Sequence, residues 1–168
     1  MKLIILGNSG SGKSWLGKKL AQQLDCNLIE MDKLFWEPGG FNKKRDPELV
    51  KKALQSSTST DRWICEGVFG RIADLAIERA SMVILLDLAW EDCKKNLMNR
   101  GPNYEDCHSP SQADKSFEEL LNWAKDYSIR ENHTSRNYHY NQYNNFDGEK
   151  LILKTRDDVN DFLIRITN

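Results

Sequence analysis

The chain has few of the residues that build cross-links, metal centres or membrane spans. Its four cysteines, Cys26, Cys65, Cys93 and Cys107, are scattered over 168 residues without a Cys-x-x-Cys pair. That excludes a disulfide framework and suits a reducing compartment. With three histidines, the only grouping that suggests zinc is Cys107-His108 with His133 and His139, and it lacks paired ligand spacing. No apolar run approaches the roughly 20 residues of a bilayer span, and residues 1 to 6 are too short for a secretory-signal core. Charge of either sign is not in excess: 24 Lys and Arg against 25 Asp and Glu leave a net −1. A general basic field of the kind that drives nucleic-acid binding is therefore absent, and any such contact would be local. With 39% apolar residues, the chain reads as one cytoplasmic domain over residues 1–168, a monomer or homodimer with no membrane partner.

What is present begins near the amino terminus. Gly7-Asn8-Ser9-Gly10-Ser11-Gly12-Lys13-Ser14 fits G-x-x-x-x-G-K-[ST] without a mismatch. It follows the apolar run Leu3 to Leu6 and precedes Leu16, Leu20 and Leu24, whose spacing of four marks a helix. Strand, loop and helix thus stand in the order a phosphate cradle requires. The glycines let backbone N–H groups curl around an anion, and the helix N-terminus adds partial positive charge. Lys13 is placed to reach the β and γ phosphates, the Ser14 hydroxyl to hold Mg²⁺, and Trp15 follows in the nucleotide-binding segment. ATP and Mg²⁺ are the expected ligands.

Short apolar runs alternate with helical patterns, predicting an α/β fold with a five-stranded parallel sheet between helical layers. The expected strands are Lys2 to Leu6, Asn27 to Met31, Arg62 to Glu66, Met82 to Asp87 and Lys150 to Lys154. Asp46-Pro47-Glu48 offers a helix cap and a first-turn proline, Thr155 with Asp158 a weaker start, and Ser116 to Glu119 has capping-box spacing. Two stretches lack an apolar period. Gly101 to Lys115 reads as an exposed excursion, and Asn132 to Asn145 as an irregular segment rich in Asn and Tyr.

Two acids compete for magnesium. Glu66 closes the third strand and Asp87 the fourth, both at the sheet edge where open α/β folds bind ligands; Asp87 reads equally as a cap for the next helix.

The chain resembles the small P-loop kinases related to adenylate and shikimate kinase, and within them the branch labelled DNA topology modulation proteins. The resemblance rests on the phosphate loop, on Met31-Asp32-Lys33-Leu34-Phe35-Trp36-Glu37-Pro38-Gly39, on Trp63 to Gly67, and on Val83 to Asp87 followed by Cys93 and Arg100. It implies the three-layer P-loop NTPase fold with a small lid at about 101–136. It implies that Glu66 lies at the acceptor and magnesium edge, with Arg71 displaced by one residue from the family's acceptor arginine. Asp32 and Trp36 fall beside the acceptor, although Trp36 fits core packing as well. Arg100 sits where the lid begins, and Asn96 where many relatives carry a second arginine, so replacements would come from Arg130 or Arg136. All of these arginines also read as solvated helix residues. Thr155 and Arg156 fall beside the adenine, while Lys43-Lys44-Arg45 reads either as an attractor for an anionic acceptor or as a solvated loop.

The expected function is Mg-dependent phosphoryl transfer from ATP to a small acceptor such as a nucleotide, with Lys13, Arg100 and Arg130 as catalytic residues. The alternative is a regulatory or DNA-associated ATPase in which the aromatic 132–145 segment stacks on unpaired bases.

Overall fold

The computed structural model describes residues 1–37, 43–103 and 109–167. Five strands, β1 (Lys2–Gly7), β2 (Asn27–Glu30), β3 (Trp63–Gly67), β4 (Met82–Leu86) and β5 (Glu149–Leu153), pair in the order β2-β3-β1-β4-β5. All four pairings are parallel. Every expected strand forms, with ends shifted by a residue; Asp87 lies just past β4 rather than in it.

Parallel strands need crossovers, and the helices supply them on both faces. They are α1 (Lys13–Leu24), α2 (Met31–Phe35), α3 (Pro47–Ser57), α4 (Gly70–Ile77), α5 (Trp90–Arg100), α6 (Pro110–Lys125), α7 (Arg136–Asn145) and α8 (Arg156–Thr167), with a single 3-10 turn at Asp126–Ser128. The two-residue period of a strand splits β1 between two cores. Leu3 and Ile5 pack with Leu16 and Leu20 of α1 and with Val159 and Phe162 of α8. Ile4 and Leu6 face the opposite layer, with Val50 and Leu54 of α3 and Ile72 and Ala73 of α4. No helix among the described residues is long and apolar enough to cross a membrane.

Local signals place several helix starts. Asp46 Oδ1 accepts from the amides of Glu48 at 2.8 Å and Leu49 at 3.2 Å, capping α3. At α8 the cap is reciprocal: Asp158 Oδ2 accepts from the Thr155 amide at 2.8 Å, and the Asp158 amide donates to Thr155 Oγ1 at 3.1 Å.

Two segments differ from the sequence-based expectation. The capping-box spacing at Ser116 does not start a helix; α6 begins at Pro110, with Ser109 Oγ accepting from the Gln112 amide at 3.2 Å. A serine cap followed by a first-turn proline outweighs the lack of apolar residues in that first turn. The Asn- and Tyr-rich stretch contains α7, which has no apolar period because it docks largely through polar bonds.

Candidate active site

The cradle is shaped by close contacts on its outer side. Gly10 adopts φ +78°, and a Cβ there would lie 2.4 Å from the Cys93 carbonyl oxygen, so α5 is able to approach only because position 10 has no side chain. Gly12, at φ +94°, meets nothing within 4 Å and leaves the inner face open. The α1 ladder begins with the Leu16 amide donating to the Gly12 carbonyl at 2.9 Å. Amides ahead of it, including those of Lys13 and Ser14, lack intrahelical carbonyls and stand at the positive end of the helix. The Ser11 hydroxyl is buried without a partner among the described residues. Lys13 is 8% exposed, and its Nζ donates to the Asn8 carbonyl at 2.7 Å. Burial lowers its pKa, while Glu66 and Asp32 pull it back up. A buried ammonium beside helix-end amides fits a polyphosphate.

The acids reach this cradle through tight strand-end packing. A Cβ on Gly67 would lie 2.5 Å from that of Met31, so the start of α2 sits against the end of β3. Gly17 lets α1 settle over Glu66, whose Cγ would be 3.3 Å from a Cβ at that position. Glu66 is 2% exposed. Burial raises its pKa; Lys13 and a hydrogen bond with Ser14 draw it back. Asp32, on the first turn of α2, is exposed as a residue while its carboxyl is crowded by neighbouring atoms. Loss of water around its carboxyl raises its pKa, Lys13 lowers it, Glu30 raises it further and Arg100 opposes that. The Ser14 hydroxyl with one or two carboxylates is an all-oxygen set suited to Mg²⁺, which completes its shell with phosphate oxygens and water. No group of three His, Cys, Asp or Glu that could hold a metal by itself occurs among the described residues.

Around this centre the remaining candidates separate. Arg100 ends α5, is exposed, and its charge is felt by both Lys13 and Asp32. Asn96, one turn earlier, donates from Nδ2 to the Gly10 carbonyl at 2.7 Å and accepts from Arg156. The sequence signal for that contact was only the asparagine where an arginine was expected. Thr155 Oγ1 is used as a helix cap, and Trp15 is 49% exposed on the first turn of α1. Trp36 is half-buried, edge-on to Phe35 at 4.7 Å and to Phe69 at 6.3 Å, and packs against the core. Arg71 is exposed on α4, where its charge reaches His133 and Tyr138. Arg45 pairs with Glu37 at 3.8 Å, and Lys44 lies over the Phe35 ring.

No protein-family model and no curated protein matches the sequence. Solved structures do match in fold. A shikimate kinase from Bacteroides thetaiotaomicron aligns with TM-score 0.54 and 17% identity over 98% of this chain and 96% of its own. One from Acinetobacter baumannii, in complex with shikimate, aligns with TM-score 0.55 and 14% identity over 99% and 90%. A gluconokinase from Sinorhizobium meliloti 1021 gives TM-score 0.52 and 14% identity over 99% and 93%. The chain has the fold of a small P-loop kinase.

Within this P-loop fold, Asp87 does not cap α5, and its carboxylate is bonded to other side chains. Both of its oxygens are taken by Arg136, from Nε and Nη2 at 2.7 Å each, and Oδ2 also accepts from Tyr140 at 2.6 Å. The residue before α5 that would hold a cap is Ala89, with no side-chain bond. Burial would raise the Asp87 pKa, but the Arg136 and Tyr140 bonds outweigh it and hold the carboxyl below its ordinary 3.8. Asp87→Ala should therefore cost about 1–2 kcal/mol in urea unfolding, the lower part of the range for a charged hydrogen bond because Arg136 is 43% exposed and screened. A lowered folded pKa stabilises above the unfolded value and is lost as pH falls through the folded one. The gap between wild type and variant should thus be constant near neutrality and close only below 3.8; a pH-independent gap would show that the ion pair does not carry it.

Arg130 is engaged by backbone carbonyls and an aromatic ring. Its guanidinium donates to the Trp123 carbonyl at 2.6 Å and twice to that of Thr134, and it stacks 3.7 Å from the Trp123 ring centroid. Burial pushes its pKa down to about 10. The aromatic segment considered for unpaired bases forms α7, whose tyrosines are half-buried. His139 is fully buried, with Nε2 donating to the Val68 carbonyl at 3.0 Å and Nδ1 accepting from Tyr127 at 2.7 Å. The Val68 carbonyl can only accept, which sets that tautomer, and burial pushes the pKa down to about 3. Gln142 donates to the Gly70 carbonyl and to Asp74, and Tyr138 to Asp74. These bonds explain why α7 is polar. Of the zinc grouping, His139 is committed as described, and Cys107 and His108 lie outside the described residues.

Proposed function

We propose that the protein transfers the γ-phosphoryl group of ATP, with Mg²⁺, to a small acceptor bound at the Asp32 and Trp36 edge. The observation that carries this reading is Lys13, buried at the cradle and close enough to Glu66 and Asp32 for both to act on its charge. One cleft thereby combines the donor's phosphate grip with the acids needed on the acceptor side.

In the reaction the bond from the γ-phosphorus to the ADP oxygen breaks as the acceptor oxygen bonds to phosphorus. Lys13 and Arg100 offset negative charge on the transferring group. Ser14 and Glu66 would hold the magnesium ion, directly or through its water, and the ion would supply positive charge that offsets that of the phosphates. Asp32 accepts the proton if the acceptor is an alcohol; a phosphate acceptor needs no base. The excursion at about 101–136, of which 104–108 lie outside the described residues, serves as the lid, with α6 beside the cradle: Asn8 Nδ2 donates to the Ala124 carbonyl at 2.8 Å. Excluding water there prevents hydrolysis of the donor. Arg71 is the acceptor-side cation of this scheme.

The test is a panel of nucleoside monophosphates, shikimate, gluconate and simple sugars, each with Mg-ATP, following ADP release and phosphorylated acceptor by mass. One acceptor should raise ADP release well above hydrolysis and gain one phosphoryl group. ADP release indifferent to every acceptor would leave a hydrolase and defeat the transfer reading.

A further inference from the structure

The acceptor edge is built on a turn that its own side chains do not fix. Val68 and Phe69 link β3 to α4, and Phe69 stands at the N-cap of α4 without a side-chain hydrogen bond. A phenylalanine has no oxygen with which to cap a helix. Its ring nevertheless carries the wall, since Phe69 stacks on Phe35 at 4.0 Å and stands edge-on to Trp36. The order this turn lacks comes from the segment after the lid. The Gly70 amide donates to the His133 carbonyl at 3.0 Å, Gln142 Nε2 to the Gly70 carbonyl at 2.8 Å, and His139 Nε2 to the Val68 carbonyl at 3.0 Å.

Of these, the His139 bond bears most directly on Phe69. The Val68 carbonyl and the Phe69 amide belong to one planar peptide unit, so a bond that orients the carbonyl also fixes where the Phe69 backbone sets out. That carbonyl accepts as well from the Gly70 amide at 3.1 Å, a bond within the turn, whereas His139 ties it to another element. The second ring nitrogen of His139 is satisfied by the Tyr127 hydroxyl at 2.7 Å. Tyr127 lies in the 3-10 turn that ends α6, one turn past Ala124, whose carbonyl takes Asn8 of the phosphate loop. His139 is 0% and Tyr127 5% exposed, and no step of the proposed reaction uses either. A buried polar pair of this kind rigidifies what it holds. Resting on the acceptor edge proposed above, we propose that His139, kept in its Nε2-protonated form by Tyr127, is a positioning residue that sets the Phe69 and Trp36 wall beside which the acceptor lies.

Fluorine NMR of protein labelled with 5-fluorotryptophan tests this. The chain has five tryptophans, and Trp36→Phe identifies the Trp36 signal. His139→Leu should displace that signal and leave the one from Trp15, exposed on α1, in place. Tyr127→Phe removes a single hydroxyl, so it folds where the leucine variant does not, and should displace the Trp36 signal in the same direction by less. His139→Gln puts an amide nitrogen where Nε2 stood and should return the signal close to wild type. Calorimetry with Mg-ATP should give all three variants affinities within about twofold of wild type, the margin for sites that share no partner. A Trp36 signal unmoved in the folded leucine and phenylalanine variants would confine the pair to stability and overturn the proposal. Equal displacement by leucine and glutamine would overturn it too, by showing that His139 fills space rather than donates. Mg-ATP affinity lost in step with the displacement would mean that the pair serves the cradle instead. Because the signal is read without nucleotide or acceptor, an acceptor panel in which nothing is phosphorylated would defeat the transfer reading alone.

Discussion

Lys13→Ala is expected to reduce phosphoryl transfer by about 10²–10³-fold or more, the loss found when one donor to developing charge is removed from a water-poor site. Lys13 is 8% exposed, and among the described residues its ammonium donates to a loop carbonyl at 2.7 Å. That leaves it poised to be recruited by a stronger anion at little cost. Calorimetry with Mg-ATP should show weaker binding as well, because a point charge at the cradle serves ground state and transition state together. The variant should also carry a signature in its pH-dependent stability. Burial raises the Glu66 pKa and Lys13 is the first influence that restrains it, so removing the ammonium raises it further. A carboxyl whose folded pKa is raised favours the fold at low pH and loses that contribution as pH rises through the folded value. Lys13→Ala should therefore lose more stability than wild type as pH climbs above the ordinary glutamate value of 4.5. Full transfer by the variant would defeat the proposed mechanism, whereas lost transfer with parallel pH profiles would place Lys13 far from Glu66 electrostatically.

Arg100→Ala should lower kcat by roughly 10³-fold, the lower end of what an arginine contributes to a transferring phosphoryl group, with ATP affinity nearly unchanged. Three arginines compete for this role, and their partners separate them. Arg130 is committed to backbone carbonyls of Trp123 and Thr134, and Arg136 to Asp87. Arg100 is exposed and acts on Lys13 and Asp32. Arg130→Ala should accordingly reduce thermal stability while the folded fraction keeps its kcat. If Arg130→Ala lost kcat with an unchanged melting curve while Arg100→Ala kept it, the assignment would be reversed. Arg130 would then have to leave its carbonyls during turnover.

Much of the fold could be read along the chain. The runs at Leu3 to Leu6, Ile64 to Cys65 and Val83 to Leu85 are buried on both faces, and such runs have little option but the centre of a parallel sheet. The caps at Asp46 and Thr155 act within three residues and were legible for that reason. The polar helices were harder. In α7, Arg136, His139, Tyr140 and Gln142 each bond to a group elsewhere in the fold, so neither apolar periodicity nor a lone motif announces the helix. The start of α6 was hidden by the same polarity.

The amino-acid order by itself determined the phosphate cradle, the five strands and the candidate acids, because glycine conformation, helix-end amides and apolar runs act between near neighbours. Only the tertiary structure decided which charges are free to act. Asp87 finds Arg136 across 49 residues and Asn96 finds Arg156 across 60, while Glu66 meets Ser14 and Lys13 through the packing of α1 on β3. Burial and partnership set the strength of a charge, and both depend on groups brought together by the fold.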